Sequence, residues 1–208
     1  NLIDAIQALL RKAHGEFYVE IGVDKGESFI PIIAETKIGV DLQPQYTAPN
    51  IHRMTSDEFF SQYGTILGKK KIDLCFIDGL HTFAQALRDV NNALQHLTEH
   101  GFIVMHDCNP PTAATADHNN THFPTKGLAW CGDVWKAIIS LRSTRNDLFI
   151  FVLNYDFGIG VITRGKPEQM LSFTAEEITN MAYDDLERNR AIWLNLKQAG
   201  FFEDFLNG

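Results

Sequence analysis

Two pairs of acidic and histidine residues carry the clearest chemical pattern in the sequence. Asp78 lies three residues before His81, and His106 lies directly before Asp107. Two carboxylates that converge without a neighbouring Lys or Arg repel each other unless a proton or a metal ion lies between them. Carboxylate oxygens suit Mg²⁺, and a neutral histidine can remove the proton of a metal-bound hydroxyl. The four residues therefore predict a site that activates a substrate hydroxyl.

Two of these residues also have a structural interpretation. His106 alone is better explained as a buried, hydrogen-bonded residue at a strand end, and Asp107 as the cap of the following turn. A site is favoured because each pair directly follows an apolar segment typical of a strand.

Two predicted strands position the pairs. Residues 72–78 are typical of a buried central strand, and residues 102–105 form the next one, after a long helix that is predicted to end at Gly101. Adjacent strands lie about 4.8 Å apart. Asp78 and Asp107 are therefore expected to approach one cation, with a histidine beside each.

A glycine-containing stretch near the N-terminus predicts a ligand-binding turn. Residues 17–21 indicate a strand, and Gly22 and Gly26 then allow positive φ and leave bare backbone for a ligand. We expect a helix over about residues 27–35 to begin at this turn. Glu20, at the end of the strand, would face donors or positive charge across the turn.

The next acidic residue, Asp41, ends a second predicted strand at residues 37–42. In doubly wound folds, an acidic residue about 20 positions after the glycine turn accepts hydrogen bonds from ribose hydroxyls. The alternative for Asp41 is a solvated carboxylate. A short third strand at residues 51–54 precedes a helix, for which Ser56 or Asp57 is the predicted N-cap.

The order of elements predicts an α/β fold. Five strand–helix repeats within about 110 residues indicate a parallel sheet with right-handed crossovers. An amphipathic helix over residues 2–13 would cover the sheet, and residues 148–153 and 157–163 indicate an antiparallel hairpin at its edge. A capping box at Thr174 and Glu177 begins the C-terminal helices. We expect one domain over residues 1–208, with parts at 1–15, 16–165 and 166–208.

A long segment from Cys108 to Trp130 interrupts this order. It is rich in Pro, Thr, Asn and His and has no periodicity, which predicts a substrate-covering loop or, alternatively, a surface excursion. Asp133 is the predicted cap of the following helix. Substrate specificity is expected in this loop and around Trp130 and Trp135.

The composition argues against several classes of protein. The chain has 208 residues, of which 45% are hydrophobic and 21% charged, and its net charge of −8 disfavours nucleic-acid binding. Three cysteines without close spacing predict a reduced, cytoplasmic environment. No apolar run reaches the length of a membrane span, so no membrane association is expected. The chain begins at Asn1 rather than Met, which leaves a trimmed N-terminus open.

Five stretches together resemble the class I S-adenosylmethionine-dependent methyltransferases. They are similar to a bacterial family of small methyltransferases over about residues 17–163, and they read YVEIGVDKGESF, IGVDL, FIDGLHTFAQALRD, IVMHDCNPP and GDVWKAI. The resemblance implies a Rossmann-like three-layer sandwich, with a mostly parallel seven-stranded sheet ending in an antiparallel hairpin, plus N- and C-terminal helices. It also implies S-adenosyl-L-methionine as cofactor, and O-methylation of a sugar or small-metabolite hydroxyl.

The resemblance also assigns roles to individual residues. His81 matches the base of the family's D-G-x-H motif, and metal binding falls on Asp78, His106 and Asp107. The sugar enzymes of the family have an acidic residue in place of His106, so Mg²⁺, a softer divalent metal and no metal all stay open. The expected cofactor-binding residues, including the adenine contacts Ser56 and Asp57, are Glu20, Gly22, Gly26, Asp41, Ser56, Asp57 and Asp78.

Three other functions stay open. A nicotinamide-dependent oxidoreductase can share this sheet, although the sequence lacks both G-x-G-x-x-G and Tyr-x-x-x-Lys. A metal-dependent hydrolase would use the Asp and His residues without needing Glu20 or Asp41, and a binding module would keep the nucleotide pocket without chemistry. The expected partner is a small-molecule acceptor. Packing within the chain and a homo-oligomer both stay open for four apolar C-terminal residues, Trp193, Phe201, Phe202 and Phe205.

Overall fold

The structure, a computed structural model, describes residues 1–119 and 130–208. It divides into two compact units. The first consists of Asn1–Leu80 and Arg88–Val104, and the second of His81–Leu87 and the described part of Met105–Gly208. Part of the predicted substrate loop, residues 120–129, lies outside the described residues. Among the described helices, none has both the length and the apolar character needed to cross a membrane.

The described residues form eight strands and eight helices, numbered in chain order. The strands are β1 (Phe17–Ile21), β2 (Thr36–Val40), β3 (Ile51–His52), β4 (Ile72–Ile77), β5 (Leu97–Met105), β6 (Leu148–Leu153), β7 (Ile159–Arg164) and β8 (Leu196–Lys197). The helices are α1 (Leu2–Lys12), α2 (Ser56–Ser61), α3 (Tyr63–Leu67), α4 (Phe83–His96), α5 (Trp135–Thr144), α6 (Ala175–Asn180), α7 (Tyr183–Trp193) and α8 (Ala199–Asn207).

The strands form one mixed sheet in the order β3-β2-β1-β4-β5-β7-β6-β8. β1 pairs in parallel with both β2 and β4, whereas β6 and β7 are antiparallel. The predicted α/β fold, mostly parallel with an antiparallel hairpin, is therefore confirmed. The sheet has one strand more than the seven predicted, because β8 pairs in parallel with β6 at Val152 and Leu153. Two residues are too few to show a periodic pattern in the sequence.

The predicted N-terminal helix is confirmed as α1. The Asn1 side chain accepts a hydrogen bond from Asp4 N and forms a capping box with it. Ile6 and Leu9 are buried on the apolar face of this helix, which lies against β4. The helix thus covers part of the sheet in the first unit, as its periodicity predicts.

The prediction of a helix over residues 27–35 is wrong, because this segment begins with consecutive turns and then runs irregularly to β2. Ile30 N donates to Gly26 O as in a helix, but Pro31 has no N–H group to continue the pattern. The Lys37 ammonium group instead donates to three carbonyl oxygens of the segment, at 2.8, 3.1 and 2.9 Å. These oxygens belong to Phe29, Ile30 and Ile32.

The predicted boundary between the long helix and the fifth strand is also wrong. α4 ends at His96, and β5 begins at Leu97 rather than after Gly101. Leu97 is buried, and a buried leucine at this position continues the helical pattern and the strand pattern equally well. Hydrophobicity alone therefore does not locate this boundary.

The C-terminal helices pack within the second unit. The rings of Phe201 and Phe205 on α8 lie 5.2 and 5.1 Å from the ring of Phe151 on β6, measured between centroids. The predicted capping box at Thr174 and Glu177 is confirmed at the start of α6. These contacts support packing within the chain for both phenylalanines, and the oligomeric state stays a prediction.

Candidate active site

Glu20 is buried near the end of β1 in the first unit. Its Oε2 accepts a hydrogen bond from the Tyr18 hydroxyl, and its Oε1 accepts one from Ser28 Oγ at 2.7 Å. Burial raises the pKa of Glu20 to about 7, against the smaller lowering effect of these two hydrogen bonds. The contact with Tyr18 could be predicted from the sequence, because residues two positions apart in a strand lie on the same face of the sheet. The contact with Ser28 follows no such pattern.

The two glycines of the predicted turn both adopt positive φ, 89° at Gly22 and 79° at Gly26. A Cβ atom at Gly22 would lie only 2.0 Å from the carbonyl oxygen of Asp78. Asp78 N in turn donates to Ile21 O at 2.8 Å. Gly22 therefore lets the ends of β1 and β4 approach closely, in addition to its predicted role of leaving bare backbone for a ligand.

Asp41 directly follows β2 and holds the glycine turn. Its Oδ2 accepts hydrogen bonds from Val23 N and Asp24 N, both at 2.9 Å, and its Oδ1 accepts one from Gln43 N at 2.7 Å. An ionised carboxylate has about four acceptor sites, so these three bonds leave capacity for a ribose hydroxyl. The ribose contact stays a prediction, and the structure adds a positioning role.

Ser56 and Asp57 lie in the first turn of α2, and neither is its N-cap. The cap is Thr55, whose Oγ1 accepts from Glu58 N at 3.1 Å while Glu58 Oε2 accepts from Thr55 N at 2.8 Å. The prediction of Ser56 or Asp57 as cap is therefore wrong, although the T-x-x-E spacing of a capping box is present in the sequence. Asp57 forms an exposed ion pair with Arg88 at 3.5 Å.

His81 lies in the second unit, beside a carbonyl oxygen and a carboxylate. Its Nδ1 is 2.5 Å from Trp130 O and 3.3 Å from Asp107 Oδ2. Because a carbonyl oxygen only accepts, Nδ1 carries the hydrogen in the contact with Trp130. The lone pair of the neutral imidazole then lies on Nε2, which is the atom that can take a proton.

Asp107 lies between two histidines of the same unit. Its backbone adopts positive φ, 59°, a conformation that is tolerated by Asp better than by most residues and that concentrates at functional sites. Asp107 Oδ2 is 3.7 Å from His106 Nδ1, and His106 Nε2 is 3.8 Å from Asp156 Oδ2. The sequence placed His106 and Asp107 together. It gave no signal for Asp156, because no local pattern links residues so far apart in the chain.

A backbone junction holds the segment next to His81. Cys131 N and Gly132 N both donate to Thr115 O, at 2.9 and 3.0 Å. Gly132 has φ of 58°, and a Cβ atom there would lie 1.8 Å from His81 O. Only a glycine therefore allows the two backbone segments to approach so closely.

Asp133 fixes the chain just after His81. Its Oδ1 accepts a hydrogen bond at 2.6 Å from the backbone N–H of Phe83, the first residue of α4. The prediction that Asp133 caps the next helix is wrong, because the N-cap of α5 is Val134, without a side-chain hydrogen bond. The side chain caps a helix that lies far from it in sequence, which a local pattern does not reveal.

The predicted site residues thus fall into two groups. The first unit brings Glu20 and Asp41 to neighbouring strands, and Asp78 follows β4 directly. The second unit brings His81, His106 and Asp107 together, with ligand atoms of His81 and Asp107 within 4.8 Å of each other. The metal ligand set of Asp78, His106 and Asp107 stays a prediction.

Residues 19–108 match a protein family described as a methyltransferase domain. No curated protein sequence matches the chain. Similar solved structures include a proposed O-methyltransferase from Klebsiella pneumoniae, with 15% identity over 79% of this chain and 80% of that one and a TM-score of 0.52. The O-methyltransferase from Bacillus cereus, in complex with S-adenosylhomocysteine, has 11% identity over 77% of this chain and 78% of that one, with a TM-score of 0.50.

A sugar N-methyltransferase from a Streptoalloteichus species is also similar, with 17% identity, 52% of this chain covered and a TM-score of 0.41. The chain spans about half the length of that protein, 48%. The likeness to the two O-methyltransferase structures shows a shared fold, and the family match includes Glu20, Asp41 and Asp78. Residues 19–108 thus match a methyltransferase domain, and the chain has the Rossmann-like fold of the similar O-methyltransferase structures.

Proposed function

We propose that this methyltransferase transfers the methyl group of S-adenosylmethionine to a hydroxyl oxygen of a sugar or similar small metabolite. A carbon–sulfur bond of the donor breaks, a carbon–oxygen bond forms, and the hydroxyl proton passes to His81. The observation that carries the proposal is the 2.5 Å contact of His81 Nδ1 with Trp130 O, which puts the proton-accepting lone pair on Nε2.

Asp107 supports the role of His81 as a general base. Its side chain is only 6% exposed, and its carboxylate lies 3.3 Å from Nδ1. When Nε2 takes a proton, the imidazole becomes positively charged, and a nearby carboxylate shielded from water stabilises that charge. The carboxylate and the Trp130 carbonyl oxygen also fix the orientation of the ring.

The first unit supports the cofactor part of the proposal. The glycine turn leaves backbone uncovered at Gly22 and Gly26, and Asp41 keeps acceptor capacity for a ribose hydroxyl. Glu20 has both oxygens bonded within the chain and a pKa of about 7, so it attracts a positive charge less than a fully ionised carboxylate does. We therefore assign the ribose to Asp41 and give Glu20 a role in holding Tyr18 and Ser28.

A divalent metal ion also fits the residues of the second unit. Asp107 offers carboxylate oxygens and His106 an imidazole nitrogen, a mixed donor set that suits Mn²⁺, Fe²⁺ or Zn²⁺ better than Mg²⁺. Within this unit, we expect His106 and Asp107 to hold the ion. Bound there, it would lower the pKa of an acceptor hydroxyl.

Calorimetric titration with S-adenosylhomocysteine and with NAD tests the cofactor. We expect saturable binding of S-adenosylhomocysteine and none of NAD. Binding of NAD alone, or of neither compound by folded protein, would contradict the proposal. A screen of hydroxylated acceptors with the methyl donor then follows transfer by mass spectrometry.

His81→Ala tests the base, with His100→Ala as control because His100 is exposed. We expect the first substitution to lower kcat by about 10²–10⁴-fold without changing the affinity for S-adenosylhomocysteine. The control is expected to keep full activity. Methyl transfer by His81→Ala at the wild-type rate would remove His81 from the mechanism.

Treatment with EDTA tests the metal. We expect activity to fall at least about tenfold and to return with Mg²⁺ or Mn²⁺. Calorimetric binding of Mn²⁺ to the wild type, and its loss in Asp107→Asn, provide a measurement independent of catalysis. Full activity after EDTA, together with no Mn²⁺ binding, would leave His81 and Asp107 as a base and its partner alone.

A further inference from the structure

The second unit contains a cavity of about 570 Å³ that the proposed cofactor and metal sites do not use. Its walls come from residues 113–118, the beginning of α5 and the residues that lead into α7. Small-molecule sites typically have volumes of about 300–1,000 Å³, so this cavity has a suitable size for one ligand. The lining residues relevant here are Ala114, Asp117, Asp133, Trp135 and Lys136.

The wall of this cavity is continuous with the residues that hold His81. The carbonyl oxygen of Trp130 contacts His81 Nδ1, and the indole Nε1 of the same residue donates to Asp117 O at 2.6 Å. Asp133, on another wall, holds the N–H of Phe83, two residues after His81. A ligand in the cavity would therefore lie against the residues that orient the proposed base.

The charge of the lining favours an uncharged ligand over an anion. Asp117 and Asp133 contribute two carboxylates, Lys136 contributes one ammonium group, and His118 contributes an imidazole. That ammonium group donates to Thr179 O at 2.9 Å and lies 3.9 Å from Asp133 Oδ2. Its positive charge therefore already interacts with groups of the protein. A phosphate or carboxylate ligand would meet excess negative charge, whereas hydroxyl groups donate well to carboxylates.

Alanines supply the apolar part of the lining, next to a buried indole ring. Trp135 is 2% exposed, and its Nε1 is buried without an acceptor among residues 1–119 and 130–208. Four alanines, including Ala114, also belong to the lining. Alanine methyl groups together with carboxylates suit an uncharged ligand that carries several hydroxyl groups.

We propose that this cavity binds the acceptor and selects an uncharged, polyhydroxylated molecule. The inference rests on the proposed methyl transfer and adds to it a location and a charge preference for the acceptor. Trp130 then has two tasks, because it holds His81 through its backbone and the cavity wall through its indole ring.

Saturation-transfer NMR tests the inference with four probes, namely methyl α-D-glucopyranoside, myo-inositol, glucose 6-phosphate and phenol. The test variant is Ala114→Trp, which fills the cavity from an exposed position. The matched control is Ala191→Trp, also exposed but on α7 away from the lining. Titration with S-adenosylhomocysteine accompanies each variant as a measure of folding and of cofactor binding.

We expect the two uncharged polyols to bind the wild type and the control with similar affinity. Their binding to Ala114→Trp is expected to be at least tenfold weaker. Glucose 6-phosphate is expected to bind the wild type at least tenfold more weakly than the glucoside does. Equal binding of the polyols to Ala114→Trp, preference for phenol or the phosphate, or no polyol binding to the wild type would each overturn the inference. Failure of the wild type to bind S-adenosylhomocysteine would instead contradict the proposed methyl transfer. The polyol measurements would still show whether the cavity binds these ligands.

Discussion

Asp107 Oδ2 lies 3.3 Å from His81 Nδ1, and Asp107 reaches this position from a backbone with positive φ. Asn tolerates the same backbone conformation, so Asp107→Asn removes the charge while keeping the shape of the side chain. We expect kcat to fall by about 10–100-fold, because the protonated imidazole loses its carboxylate partner. Steady-state kinetics with an identified acceptor measures this. An unchanged kcat in a variant that still binds S-adenosylhomocysteine would contradict the role given to Asp107.

Glu20 makes the stability of the protein depend on pH. Its pKa rises from 4.5 to about 7 on burial, so the folded state binds this proton more tightly than the unfolded state does. Stability from this group is therefore fully present below about pH 4.5 and is lost as the pH rises through 7, by about 3 kcal/mol in total. We expect Glu20→Gln to lose less stability than the wild type between pH 5 and pH 8 in urea denaturation. Parallel pH profiles for the two proteins would show that Glu20 titrates normally.

The change from glycine to alanine is expected to destabilise the protein at Gly22 and to stabilise it at Gly64. At Gly22 a methyl group meets positive φ and a carbonyl oxygen at 2.0 Å, so we expect a loss of more than about 3 kcal/mol in the free energy of unfolding. Gly64 lies in α3 with nothing within 4 Å, so alanine there is expected to stabilise the protein by about 0.5–1 kcal/mol. Denaturation curves of both variants provide the test, and a neutral Gly22→Ala would refute the close approach of β1 and β4.

Arg190 on α7 ties the chain that follows Asp107. Its guanidinium group donates to Asn109 Oδ1, to Pro110 O at 3.2 Å and to the Tyr183 hydroxyl at 3.0 Å. We expect Arg190→Ala to lower the free energy of unfolding by about 1–3 kcal/mol, because these acceptors lose a charged donor.

The matched control for Arg190→Ala is Arg188→Ala, on the same helix. Arg188 is 66% exposed and pairs with Asp185 at 2.6 Å, so its loss is expected to cost less than about 1 kcal/mol. Urea denaturation compares the two variants. Equal effects would mean that the three acceptors of Arg190 contribute nothing beyond a surface charge.

The central strands were predictable from sequence because burial dominates their composition. β1 matches residues 17–21 as predicted, and β4 matches the predicted strand up to its last residue, Asp78. Both consist largely of apolar residues next to turns, which periodicity detects well. The prediction of a helix over residues 27–35 is wrong for another reason. The Lys37 ammonium group donates to backbone carbonyl oxygens that would accept from backbone N–H groups in a helix. Such a long-range substitution has no local signal.

The candidate site was predictable where residues follow strand ends. His81 and Asp107 came together as expected, because the pairs that contain them each follow a strand. The contacts of Trp130 and Asp156 with these histidines depend on the path of distant segments, which sequence patterns do not specify. The N-cap of α2 is different, because the sequence contains the capping-box spacing of Thr55 and Glu58. These two residues cap the helix, and Ser56 and Asp57 follow the cap in its first turn.

The carbonyl oxygen of Thr115 receives the N–H groups of both Cys131 and Gly132. The backbone at residue 115 therefore lies next to the backbone at residues 131 and 132. A stretch whose two ends meet can be exchanged for one of different length at little cost to the remaining structure. An exchange of this stretch, including Asp117 and Trp130, would therefore change the proposed acceptor cavity while β2 and β4, which precede Asp41 and Asp78, remain unchanged.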